Sequence, residues 1–291
     1  MGQPVIAGIN GSPESVAAAA WAADEAVRRK SPLRLLFADE ALQALRGGAP
    51  DTPPLPETLA PLEHSRTALR TTRDRLAARH PGLDVTVEER PEEPRQALEE
   101  TSENAALTVL GSNGLGVFTG FMVGSVALSV LAHARGPVVL VREGWKDPER
   151  GNVVLGLDLE RPCDDLIEFA FTSAAHRAVP LRVVHAWRLP LTYGYDPGIM
   201  EPGTGPEMER DRFRELASAL RPWRNAFPAV EVAEQVWAGR AGACLAQAAQ
   251  DASLVAVGRH RRHLPVGSAV GSVAHALLHH APCPVAVVPH D

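Results

Sequence analysis

The sequence predicts an α/β protein made of two tandem domains, each a mostly parallel sheet with helices on both faces. Two observations carry that reading. Short apolar runs alternate with segments of helical periodicity along the whole chain, the pattern of successive βαβ units. A glycine pattern that begins at Gly111, GSNGLGVFTGFMVGS, also returns in altered form from Gly258 as GRHRRHLPVGSAVGS. The flanking segments repeat with it: Val5–Asn10 aligns with Val153–Asp158, and Pro32–Leu36 with Pro180–Val184, at an offset of 148 residues. From Gly111 onward the offset is 147, as in His133 with His280 and Pro137 with Pro284. Solenoid repeats run about 20–50 residues, so copies of this length are domains. The seam, Arg142–Asn152, has the polar composition of a linker, which predicts one domain over 1–145 and a second over 152–291, each long enough to bury its own core.

In the first domain, Pro4–Ile9 is nearly all apolar and reads as a strand covered on both faces. Ser12 offers an N-cap, Pro13 suits the first helical position, and Val16, Ala19, Ala20, Ala23 and Val27 recur at i, i+3, i+4 spacing, so a helix follows. Further strands are expected at Leu33–Ala38, Val85–Glu89, Leu107–Leu110 and Pro137–Val141, with helices over Thr58–Arg79, Pro94–Asn104 and Ser125–Ala134. The second domain repeats this, with strands near Asn152–Leu157, Leu181–Trp187, Val230–Val236, Leu254–Val257 and Pro284–Pro289. After each second strand lies a Pro- and Gly-rich stretch, Gly47–Pro61 and Pro190–Pro206. Loops this long serve as surface segments, lids or subunit contacts.

Composition limits the setting. A net charge of -6 and a pI near 6.0 give no global attraction to nucleic acid or to anionic lipid. No run of about 18 apolar residues is present to span a membrane. The start, Met1–Pro4, lacks the basic and apolar regions of a signal peptide. Cys163, Cys244 and Cys283 form no Cys-x-x-Cys pair, so neither a disulfide framework nor a zinc site is indicated. The expectation is a cytoplasmic protein with reduced thiols. His275, His279 and His280 are spaced along one helix with no carboxylate nearby in sequence, and they read as helix-end histidines rather than a metal site.

Chemistry concentrates at the glycine pattern. Gly111 leaves the carboxyl end of a strand, where ligands of open parallel sheets sit. Glycine permits φ > 0 and lets backbone N–H groups approach an anion without a Cβ in the way. Gly124-Ser125-Val126 then opens a helix, whose free N–H groups and dipole favour phosphate, with the Ser125 hydroxyl as a further donor. The segment has no lysine of the kind found in a phosphate loop, and its glycine order is not that of a dinucleotide fold. No general base or cationic clamp is placed by motif. Asp39 and Glu40 follow the second strand and read as an ordinary polar strand end.

The combination of Gly-x2-Gly-x9-Gly-Ser after a strand, Ser-Val opening the last helix and a closing Pro-Val-x-Val-Val strand resembles the universal stress protein family. The resemblance covers both halves, as in its tandem members. It implies a three-layer, flavodoxin-like sheet of order 3-2-1-4-5 in each half. It also implies an internal pairing of the domains through their last strands, with a homodimer as a further option. Many members bind ATP. The resemblance implies a nucleotide site at Asn10, Ala38, Gly111, Gly114, Gly124, Ser125 and Val126, with ATP, alone or with Mg2+, as ligand. Asn10 stands where the family usually has Asp, which keeps the shape and loses the charge. The second copy implies a site at Asp158, Ala186, Gly258, Arg261, Gly271, Ser272 and Val273. There the acidic position is kept, but Arg261 replaces the second glycine. That arginine lies in a solvated loop, binds phosphate itself, or fills the pocket. The expected function is a nucleotide-responsive stress regulator acting on a protein partner, rather than an enzyme. A scaffold that binds no nucleotide is the alternative reading, and a slow ATPase the third.

Overall fold

The computed structural model of the chain describes residues 2–42, 56–112, 124–146, 148, 151–161, 163–188, 204–260 and 270–290, with backbone alone at 56–59 and 204–206. Gly114 and Arg261 lie outside the described residues, as do 47–55 and 190–203 of the two Pro- and Gly-rich stretches. The chain forms two compact units, Met1–Lys146 and Asp147–Asp291.

The first unit runs β1 (Val5–Gly8), α1 (Pro13–Arg29), β2 (Leu33–Ala38), α2 (Pro56–Arg79), β3 (Val85–Arg90), α3 (Pro94–Ser102), β4 (Leu107–Ser112), α4 (Ser125–His133) and β5 (Val138–Arg142). All four strand pairings are parallel, in the order β3-β2-β1-β4-β5. Helices α1 and α2 cover one face, and α3 and α4 the other. The apolar runs become strands because both their faces are roofed: Val5, Ala7, Leu33, Leu35, Leu107 and Val109 are fully buried. Each large aliphatic side chain removed from water in this way contributes roughly 1.5–3 kcal/mol.

Helix α1 shows how local sequence places an element. Ser12 caps it by accepting from the Ser15 N–H at 3.2 Å, and Pro13 takes the first turn. Ala18, Ala19, Ala22, Ala23 and Ala26 are fully buried against the sheet, a close approach that larger side chains would prevent. Lys30 ends it in the left-handed conformation at φ 52°.

The second unit repeats the plan: β6 (Asn152–Gly156), α5 (Asp164–Arg177), β7 (Leu181–Trp187), α6 (Thr204–Ala226), β8 (Val232–Ala238), α7 (Ala241–Ala248), β9 (Ala252–His260), α8 (Ser272–His280) and β10 (Val285–His290). Its strands are again parallel, in the order β8-β7-β6-β9-β10. Helices α5 and α6 cover one face, and α7 and α8 the other. Each unit therefore has the three-layer, 3-2-1-4-5 arrangement expected of it.

Four elements differ in their boundaries from the sequence reading. Helices α2 and α6 begin at Pro56 and Thr204, inside the stretches read as loops; Pro61 falls within α2, where it removes one intrahelical hydrogen bond. Strand β8 lies two residues later than expected. Strand β9 continues to His260 because its ladder with β10 runs on through Arg259↔Pro289 and His260↔His290.

Candidate functional site

The carboxyl ends of β1, β2 and β4 in the first unit open into a cleft of about 460 Å³. Asn10, Ala38, Gly111, Gly124, Ser125 and Val126 all line it, joined by Ser12, Glu14 and Ser15 from the start of α1 and by Pro94 and Leu98 of α3. Residues about a hundred positions apart thus meet because β1 and β4 are neighbours. Asp39 and Glu40 are not among the lining residues. The Asp39 carboxylate instead accepts from the Ala41 N–H at 2.8 Å, a turn at the strand end.

Two features give the cleft its chemistry. Asn10 accepts the Ser12 N–H at Oδ1, 3.1 Å, closing a turn that aims the chain into α1. Only an oxygen can take that bond, so the amide orientation is fixed and Nδ2 is left as a donor. Helix α4 starts at Gly124 with no side-chain cap. Its first N–H groups, at Ser125, Val126 and Ala127, belong to cleft-lining residues and carry the positive end of the helix dipole.

Gly111 acts differently from the sequence expectation. It does not have positive φ, and neither does Gly124. A Cβ on Gly111 would meet the Glu14 carbonyl carbon at 2.5 Å, its oxygen at 2.6 Å and the Ser15 nitrogen at 2.7 Å. This glycine is required by the first turn of α1, which it lets lie directly on β4. The requirement comes from a neighbour 97 positions away and leaves no local signal in the sequence.

The second unit has a corresponding cleft of about 590 Å³. Asp158, Ala186, Gly258, Gly271, Ser272 and Val273 line it. Asp158 repeats the Asn10 turn, its Oδ1 accepting the Glu160 N–H at the same 3.1 Å. Helix α8 starts, like α4, without a side-chain cap, and here Gly271 does adopt φ 81°. Sequence reasoning did not place Arg161, Arg188, Arg212, His185, His260 and His290 in this lining, where they also stand. His185 is buried, its Nδ1–H donating to the Leu157 carbonyl at 3.0 Å. The aligned copies held part of that signal, since Glu40 falls opposite Arg188 and Phe37 opposite His185 at the 148-residue offset.

Outside the clefts, the His275 and His279 rings stack edge-on at 4.4 Å, and no group of three metal-ligating side chains occurs among the described residues. No helix among them is long and apolar enough to cross a membrane.

Comparison with known proteins agrees with this duplicated architecture. The profile of the universal stress protein family matches residues 1–142 and again 149–289. A universal stress protein of Mycobacterium tuberculosis is 31% identical over 295 residues, covering 97% of this chain and 96% of its own. One from Mycolicibacterium smegmatis is 30% identical over 292 residues, with 98% and 96% covered. The crystal structure of a universal stress protein from Archaeoglobus fulgidus superposes with a TM-score of 0.70 at 16% identity, over 100% of both chains. With two family matches in tandem, near full-length relatives and the repeated five-stranded units, the chain belongs to the universal stress protein family as a two-domain member.

Proposed function

We propose that the first domain binds an adenine nucleotide, most simply ATP with Mg2+, and that its occupancy regulates a stress-linked interaction with a partner protein. The observation that carries this reading is the uncapped start of α4, which opens with Ser125 into a cleft at the carboxyl edge of the sheet. Leu36, Ala38 and Leu98 offer an apolar bed for a base, and the Asn10 amide offers a donor beside it.

The charge balance supports Mg2+ as part of the ligand. Glu14 is the one charged residue among the described lining, and residues 113–123 contain no Lys or Arg. Helix N–H groups then face a polyphosphate with no cationic side chain among the described lining to assist them. Mg2+ bound to the phosphates supplies the missing neutralisation, and a carboxylate such as Glu14 suits its oxygen shell. The reading is one of binding and signalling, without turnover.

The test is isothermal titration of ATP into the nucleotide-stripped chain, with and without Mg2+. Ser125→Glu places a carboxylate where a phosphate is expected, while favouring the helix N-terminus electrostatically. It should weaken ATP binding about tenfold or more without unfolding the domain. Asn10→Asp should strengthen binding severalfold, because a carboxylate accepts from an exocyclic amine and an amide nitrogen does not. An absence of heat from the parent chain at millimolar ATP would favour the scaffold reading instead.

A further inference from the structure

We propose that the second cleft is a site for a condensed-phosphate chain, bound across the strand tips on the α5/α6 face of the sheet. The proposal rests on the second domain alone and is independent of the ligand of the first cleft.

The cleft exists in this form because of where α5 starts. Helices α1 and α5 end at equivalent positions, Arg29 and Arg177, in the 148-residue offset. By the same offset α5 should start at Arg161, yet it starts at Asp164, so one turn is absent. In the first domain that turn packs on Gly111. In the second, an imidazole occupies the space: a Cβ on Gly258 would meet His290 Nε2 at 2.7 Å and Cδ2 at 2.8 Å. His260 and His290 are register partners on β9 and β10, so both side chains stand on the same face, their rings edge-on at 5.6 Å. Arg161, within the lengthened connection from β6 to α5, and Arg212 of α6 complete this lobe.

The chemistry of the lobe differs from that of the first cleft. Three arginines face two carboxylates, Asp158 and Glu160, along the lining of the second cleft, where the first has Glu14 alone. Part of this is a change at equivalent positions: Glu40 becomes Arg188, a reversal of charge, and the Glu143 carboxylate gives way to the His290 imidazole. The guanidinium groups of Arg161 and Arg188 have no ion-pair partner among the described residues. Arg212 pairs with Glu215 at 2.9 Å, but that pair is solvent-exposed and holds the guanidinium weakly. Asp158 is committed to its turn through Oδ1.

Arginine forks and imidazoles on one face, together with the uncapped start of α8 on the other, form a line of donors over the strand ends. A chain of phosphates linked by anhydride bonds can cross the strand tips and meet both. The same chemistry is available from free polyphosphate or from the tail of a nucleotide.

The test is titration of sodium tripolyphosphate into the full chain, beside Ser125→Glu and the double variant Arg161→Gln/Arg212→Gln. Both arginines are partly or fully exposed, so the double variant should fold normally, which circular dichroism checks. The expected result is binding at one site per chain, untouched by Ser125→Glu and weakened about tenfold or more by the double variant. Competition by ATP in the Ser125→Glu background would identify the nucleotide tail as the source of the chain; no competition would identify free polyphosphate. The proposal is overturned if tripolyphosphate gives no binding at millimolar concentration, or if its binding survives the arginine substitutions or disappears with Ser125→Glu. A failed nucleotide site in the first domain would appear only in the ATP titrations of the parent chain.

Discussion

Gly111 and Gly258 occupy the same position in the two copies, yet replacing each by Ala should have different consequences. At Gly111 the added methyl meets the backbone of α1 at 2.5 Å, and ordinary contact begins at 3.4 Å, so the helix start must retreat by about 0.9 Å. Backbone held by the Ser12 cap and the buried Ser15 side chain cannot move that far cheaply. Overpacking of this kind destabilises by roughly 1–3 kcal/mol. For a unit of this size, 2 kcal/mol corresponds to a fall of about 4–8 °C in Tm. At Gly258 the nearest atoms are the far end of the His290 side chain, which can change rotamer at roughly 0.5–1 kcal/mol. Removing a glycine from the unfolded chain offsets a similar amount, so Gly258→Ala should be nearly neutral. Differential scanning calorimetry of the two variants beside the parent chain is the assay. Equal destabilisation by both, or a larger loss in Gly258→Ala, would refute the claim that α1 rather than a ligand demands the first glycine.

Two further outcomes follow from buried groups. Burial pushes the Cys163 thiol above its ordinary pKa, and the other two cysteines are also buried. A thiol reagent near neutral pH should therefore find almost no reactive cysteine in the folded chain and all three in denaturant. Because the thiol ionises more readily once unfolded, Cys163 favours the fold below the ordinary thiol pKa, and that contribution falls as pH rises through it; a Cys163→Ala variant should lose this alkaline sensitivity. Glu25 is fully buried in α1, with Arg29 Nε at 2.6 Å and Arg28 at 3.7 Å. Glu25→Ala removes a fully buried carboxylate paired with Arg29 and should reduce stability by about 3 kcal/mol in urea unfolding; a change under about 1 kcal/mol would show that the pair contributes little.

Most of the fold was legible because it is written in local patterns. Continuous apolar runs marked strands buried on both faces, and Ser12-Pro13 marked the start of α1. What the sequence hid was set by distant neighbours. Strand β9 was read short because Arg259 and His260 look like loop residues, yet Arg259 is 7% exposed and paired in the sheet. Pro56 and Pro61 looked like loop residues, although proline at a first turn is compatible with a helix. In the first cleft the described residues matching the family pattern do converge, but Ser12, Glu14 and Ser15 carried no motif and entered only through the folding of α1 over β4. In the second, the missing turn of α5 becomes visible only once the helix ends are aligned.

The equivalence of Asn10 and Asp158 helps to separate loss of a site from change of a site. Both close the same turn at 3.1 Å, so the backbone frame of the two clefts is held by one device, and the Asn-for-Asp difference is felt at the second atom of the side chain. In the first copy that atom is a neutral donor within a cleft poor in charge. In the second it is a carboxylate oxygen within a cleft rich in arginine and imidazole. A copy decaying freely would be expected to fill its cleft with apolar side chains, since that stabilises a sheet end no longer needed for binding. The second cleft is instead the larger of the two, at about 590 Å³ against 460 Å³, and Arg161, Arg188, Arg212, His260 and His290 stand in its lining. Three arginines beside two carboxylates leave the described lining with an excess of positive charge that an entering anion would neutralise. That combination argues for a second copy with a different ligand rather than one with none.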